Sequence, residues 1–158
     1  MSAQAHITSN DSNTEEEKEF LTVIIAEQRF GIPILQIQDV LGEQSITNIP
    51  LAPQEVAGSL NLRGRIVTAI DVRKRLDIKD AGTSQDKTMG VVVEHENELY
   101  NLIIDSVGDV LSLKNNNFQN NPATLDPTWQ GVSAGIYRLD EELLVILDVP
   151  KLLESVHS

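Results

Sequence analysis

From Phe20 onward, apolar residues fall along this chain in short runs broken by prolines, glycines and polar pairs. That patterning belongs to β-strands joined by tight turns. Phe20–Ala26 predicts a mostly apolar strand, Glu27-Gln28 a turn, and Arg29–Ile32 the return strand. Pro33 cannot donate to a central ladder, so the chain must bend there or reach an edge. Gln36–Leu41 partly alternates, as a half-buried strand does. Pro50 and Pro53 bound a connection, and Gln54–Ala57 predicts a short helical turn. Ile66–Ile70 is a β-rich run ending at Asp71, an N-cap residue type, ahead of a short helix over 72–76. Residues 1–18 are polar and acidic and predict a disordered tail, leaving a single domain over 19–158.

The pattern then returns. Phe30–Leu41 and Tyr100–Leu111 match at an offset of 70, in the aromatic, in Ile34/Ile104, in Ile37/Val107 and in a shared Asp-Val-Leu ending. Val67–Val72 and Leu144–Val149 match at an offset of 77, each Asp opening a short helical segment. Two echoes in the same order with nearly equal offsets indicate a duplicated β unit. The expected units are residues 20–77 and 88–149, with a polar linker over 78–87 and a C-terminal helix over 149–156 packing back. Each unit has too few strands for a flat sheet with protected edges, so each is expected to curl into a small barrel. The fold class is all-β, two small barrels packed together with short helices.

Composition sharpens this picture. A chain of 158 residues with 41% hydrophobic content and six aromatics must fill its core with aliphatics. No apolar stretch is long enough to span a bilayer, and the N-terminus lacks a basic region followed by an apolar core, so neither a membrane helix nor a signal peptide is expected. The absence of cysteine excludes disulfides and thiolate chemistry and fits a reducing cytoplasm. A net charge of −12 argues against nucleic-acid binding. Against that acidic background, Arg63, Arg65, Arg73, Lys74 and Arg75 fall within 13 positions. They form either a solvated helix face or a basic patch for an acidic protein partner.

Reactive groups are scarce. The histidines, His6, His95 and His157, show no metal-ligand spacing, so no metal and no cofactor is expected. Asp39, Asp71, Asp105, Asp109, Asp140 and Asp148 read as strand ends and caps. Gly58 and Gly64 frame a turn at Arg63, but the lysine and Ser/Thr of a phosphate-binding loop are missing. The chain reads as a non-enzyme. Arg63 offers a planar fork of donors either to Asp39 within the fold or to a partner's carboxylate. The seam beside it, with Ile37, Val40 and Val110, suits the apolar face of a partner helix, and the open barrel edges offer a second contact.

The stretch Gly58-Ser-Leu-Asn-Leu-Arg-Gly64, with Phe30–Ile34, Ile37–Val40, Leu102–Leu111 and Leu144–Val149, resembles the CheW family of chemotaxis coupling proteins over Phe20–Leu153. The resemblance implies two SH3-like five-stranded β-barrels sharing a hydrophobic interior, with no catalytic activity. It implies partners as well: the regulatory domain of the histidine kinase CheA and the cytoplasmic tip of chemoreceptors. The protein would then be a monomer alone and a cytoplasmic component of membrane-associated arrays, touching neither lipid nor nucleic acid. Receptor coupling in the family maps onto Ile37, Asp39, Gly58, Arg63, Gly64, Met89 and Val110. Three positions depart from the family pattern: Asp39 for the more usual Glu, Thr68 for a common proline, and Asn101 for a usual glycine. The competing readings are a similar scaffold for another sensory kinase, and a double barrel that binds a small ligand in its seam.

Overall fold

The computed structural model describes residues 16–78 and 87–154. Most of the expected tail (1–15), most of the linker (79–86) and the end of the last helix (155–156) lie outside the described residues. The strands are β1 (Glu17–Ile25), β2 (Gln28–Pro33), β3 (Ile37–Leu41), β4 (Val56–Leu62), β5 (Arg65–Asp71), β6 (Met89–His95), β7 (Glu98–Ile104), β8 (Ser106–Lys114), β9 (Ser133–Arg138) and β10 (Leu143–Leu147). Short helices α1 (Val72–Arg75), α2 (Pro127–Gln130) and α3 (Val149–Leu153) accompany them. Strand β1 begins at Glu17, inside the expected tail, because Glu17, Lys18 and Glu19 pair with β8. Val56 opens β4 where the sequence predicts a helical turn over 54–57, since pairing with Ile70 draws it into the ladder. Pro33 ends β2, and the chain bends through a 3₁₀ turn over Ile34–Gln36, as a missing amide donor requires.

The strands form two five-stranded sheets, in the orders β8-β1-β2-β10-β9 and β3-β6-β7-β5-β4. Each sheet draws strands from both expected units, so the sheets do not follow the boundary between 20–77 and 88–149. The first two strands of each repeat join the last three of the other. The duplication is nonetheless kept in the register. Phe30 pairs with Val145, and their counterparts at offsets of 70 and 77, Tyr100 and Thr68, pair with each other. Val40 faces Val91 as Val110 faces Leu21. Both helix-opening acids act as caps: Asp71 accepts from the Lys74 amide and Asp148 from the Lys151 amide.

Among the described residues, period-two alternation sorts the side chains into three cores. Leu144 and Ile146 pack with Phe20 and Tyr137 inside one curled sheet, while Val67, Ala69 and Leu60 fill the other. The alternate residues, among them Val23, Ile25, Phe30, Val145, Ile70, Tyr100 and Leu102, form a shared core between the sheets, joined by Val149, Leu152 and Leu153 of α3. Leu41 from β3 and Leu60 from β4 meet over one cluster although these strands are opposite edges of their sheet. The sheet is therefore curled far enough to bring its edges together.

Candidate functional site

The Arg63 turn is a two-residue hairpin between β4 and β5, with Leu62 paired to Arg65. Both turn residues are left-handed, Arg63 at φ 53° and Gly64 at φ 84°, as a type I′ hairpin demands. Gly64 adopts this backbone without steric cost; for Arg63 it costs about 1–2 kcal/mol. The Asn61 carboxamide accepts from the Gly64 amide at 3.0 Å and braces the turn. The hairpin thus holds Arg63 in the open, its side chain 77% exposed.

Asp39 stands opposite, on the edge strand β3. Its Oδ2 lies 3.1 Å from Arg63 Nη2, so the internal pair is present and ties the two edges of the curled sheet. The other oxygen, Oδ1, accepts from the Val40 amide at 2.8 Å. The approach of Arg63 to Oδ2 is close but misaligned, so this buried atom accepts no hydrogen bond among the described residues. A shallow depression of about 140 Å³ opens beside the pair, walled by Gln38, Leu62, Arg65, Val92 and Leu99.

The other expected site residues are placed unevenly. Ile37 and Met89 are half-buried and lean on the shared core between the sheets. Val110, half-exposed, lies on β8 in the other sheet, at the internal counterpart of Val40. Gly58 does not frame the Arg63 turn: it is buried inside β4, where the register shifts between Val56 and Gly58. Ile66, beside Arg65 on the same hairpin, is 74% exposed, although its apolar run reads as core strand.

The basic cluster divides. Arg73 of α1 donates two hydrogen bonds to Asp105, at 2.9 and 2.8 Å, with both side chains largely buried. Asp105 also accepts from the Ala26 amide at 2.7 Å, so one carboxylate ties α1 to the β1–β2 turn of the other sheet. Burial pushes the Asp105 pKa up, but the Arg73 donors, the Ala26 amide and the Arg73 charge outweigh it and hold it below the ordinary range. Arg75 donates to the carbonyls of Leu152 and Lys151, fastening α1 to α3. Arg73 and Arg75 are therefore internal ties, not a basic patch. Nothing in the sequence pattern joins Arg73 to Asp105, 32 residues away. Among the described residues no group of His and acidic side chains is arranged to hold a metal ion. None of their helices is long and apolar enough to cross a membrane.

The CheW-like domain model matches residues 19–157. The chain belongs to the CheW-like domain family. Chemotaxis protein CheW of Klebsiella aerogenes is 32% identical over 139 residues, covering 87% of this chain and 82% of that protein. Chemotaxis protein CheW of Helicobacter pylori is 28% identical over 152 residues, covering 96% of this chain and 91% of that one. The crystal structure of the scaffolding protein TtCheW from Thermoanaerobacter tengcongensis superposes with a TM-score of 0.77 at 31% identity, covering 87% of this chain and 92% of that one. The all-β fold of this CheW-like chain, two SH3-like five-stranded barrels with short helices, agrees with that likeness.

Proposed function

We propose that this CheW-like chain is a non-catalytic adaptor that couples chemoreceptors to the histidine kinase CheA in cytoplasmic signalling arrays. The observation that carries the reading is the Arg63 hairpin. A left-handed turn holds the Arg63 side chain 77% exposed, paired with the Asp39 carboxylate and beside a depression walled in part by Leu62, Val92 and Leu99. Such a surface recognises another protein's polar side chains and offers no nucleophile or acid–base pair for turnover. Arg63, Asp39 and Gly64 form the polar part of the proposed receptor contact. Ile37, Met89 and Val110 contribute its apolar part along the seam, where a helical receptor tip would lay its apolar face.

The test is capture of the full chain by a soluble CheA regulatory domain from the same source, with and without a soluble receptor-tip fragment. Binding to both, with Arg63→Ala losing only the receptor-dependent part, is expected. Capture of neither at roughly tens of micromolar would overturn the adaptor reading, because even transient signalling contacts register there.

A further inference from the structure

Gly58 is carried over as a coupling position, yet it is buried in β4 and has no side chain to offer a partner. Its φ is 150°. A Cβ there would collide with the Thr47 carbonyl oxygen and stand 2.7 Å from Ile46 Cγ2. The missing Cβ lets the segment through Ile46 and Thr47 lie directly on the edge strand. Thr47 and Ser59 then exchange two backbone hydrogen bonds, each 2.8 Å. This strap covers part of an edge that would otherwise be open. Ile46, Leu62 and Leu99 all pack against the same buried cluster of Leu60, Val67 and Ala69 inside the barrel, and Leu62 and Leu99 wall the depression beside Arg63.

The internal repeat supplies a control. At the same offset of 77, Gly135 in β9 has φ 156°, and a Cβ on it would meet the Phe118 ring and stand 2.6 Å from the Gln119 carbonyl oxygen. Gln119 and Ile136 exchange two backbone hydrogen bonds of 2.9 Å, as Thr47 and Ser59 do. The two glycines have one backbone task in two barrels, and only the strap on Gly58 leads to Arg63.

We propose that Gly58 is a positioning residue: it seats the Ile46-Thr47 strap, and the seated strap sets the wall on which Arg63 is presented to a partner. The link to a partner rests on the adaptor reading above; the structural half does not. The experiment compares full-length Gly58→Ala, Gly135→Ala and Ile46→Ala with wild type, by methyl and amide NMR and by binding of a soluble receptor-tip fragment.

In Gly58→Ala, the Thr47 and Ser59 amides should exchange about tenfold faster or more. The Leu62 and Leu99 methyl resonances should move, and fragment affinity should fall about tenfold. Gly135→Ala should lower the melting temperature similarly while leaving those resonances and the affinity in place. Ile46→Ala, which loosens the strap and leaves the glycine untouched, should reproduce the methyl shifts and the affinity loss even if Gly58→Ala does not fold. Unmoved Leu62 and Leu99 methyls in Ile46→Ala, or equal affinity losses in Gly135→Ala and Ile46→Ala, would overturn the proposal. A wild-type chain that binds no fragment would defeat the adaptor reading, and the methyl shifts would still decide the strap.

Discussion

Neutralising Asp105 should cost this fold about 3 kcal/mol, the lower end of what removing one partner of a buried ion pair costs. Asp105 is 11% and Arg73 17% exposed in their side chains, and they meet through two hydrogen bonds of 2.9 and 2.8 Å. Asp105→Asn keeps an acceptor for the Ala26 amide and the side-chain shape, so the loss is mainly the charge-assisted pairing of Asp105 with Arg73. For a chain of this size that loss should lower the melting temperature by roughly 6–12 °C. Urea unfolding of wild type and variant at pH 7 measures it directly, with the slope expected unchanged.

The pH dependence carries a sign. The folded pKa of Asp105 lies below its ordinary value, so the pair's contribution is complete above the ordinary carboxylate pKa of about 3.9. It is lost as the pH falls through the folded pKa. The gap between wild type and Asp105→Asn should therefore be flat near neutrality and close below about pH 4. Adding Arg73→Met to Asp105→Asn should cost less than the sum of the two single losses, because the two side chains interact directly and their pairing is lost only once. A loss below about 1 kcal/mol at pH 7, typical of an exposed pair, would refute the argument that this carboxylate clamps the two sheets.

Two further outcomes are expected. Arg63→Asn should stay within about 1 kcal/mol of wild type in denaturant unfolding, since asparagine tolerates the left-handed turn and a misaligned ion pair with a largely exposed arginine is worth little. Its binding to a receptor-tip fragment should nevertheless fall, and a stability loss above about 2 kcal/mol would make Arg63 a structural staple instead. Burial, with a hydrogen bond to Glu98, pushes the Tyr100 phenol up to about 12, and burial also raises Tyr137. Tyrosinate absorbance of the folded protein should therefore appear late in an alkaline titration. Tyr100's share of stability should be intact below its ordinary pKa of about 10 and fall as the pH rises toward 12. Half of the tyrosine signal ionising at about pH 10 in folded protein would contradict this.

What the chain determines by itself is local. Alternation at Phe20–Ile25, at Val67–Ile70 and at Leu144–Leu147 specifies strands with two apolar faces, because successive side chains point to opposite sides. The Arg63-Gly64 hairpin and the caps at Asp71 and Asp148 are equally legible, since each depends on a residue type acting within a few positions of itself. The duplication is also readable, because pairing register follows hydrophobic pattern. The tertiary structure decided which copies pair. An equal repeat places the same apolar face on its own strands and on those of its twin, so local pattern cannot choose between contiguous and exchanged barrels. It decided as well that Asp105 meets Arg73, that Gly58 makes room for Thr47, and that Ile66 faces outward. Each of these depends on contacts between residues distant along the chain, and only the curl of the two sheets brings those residues together.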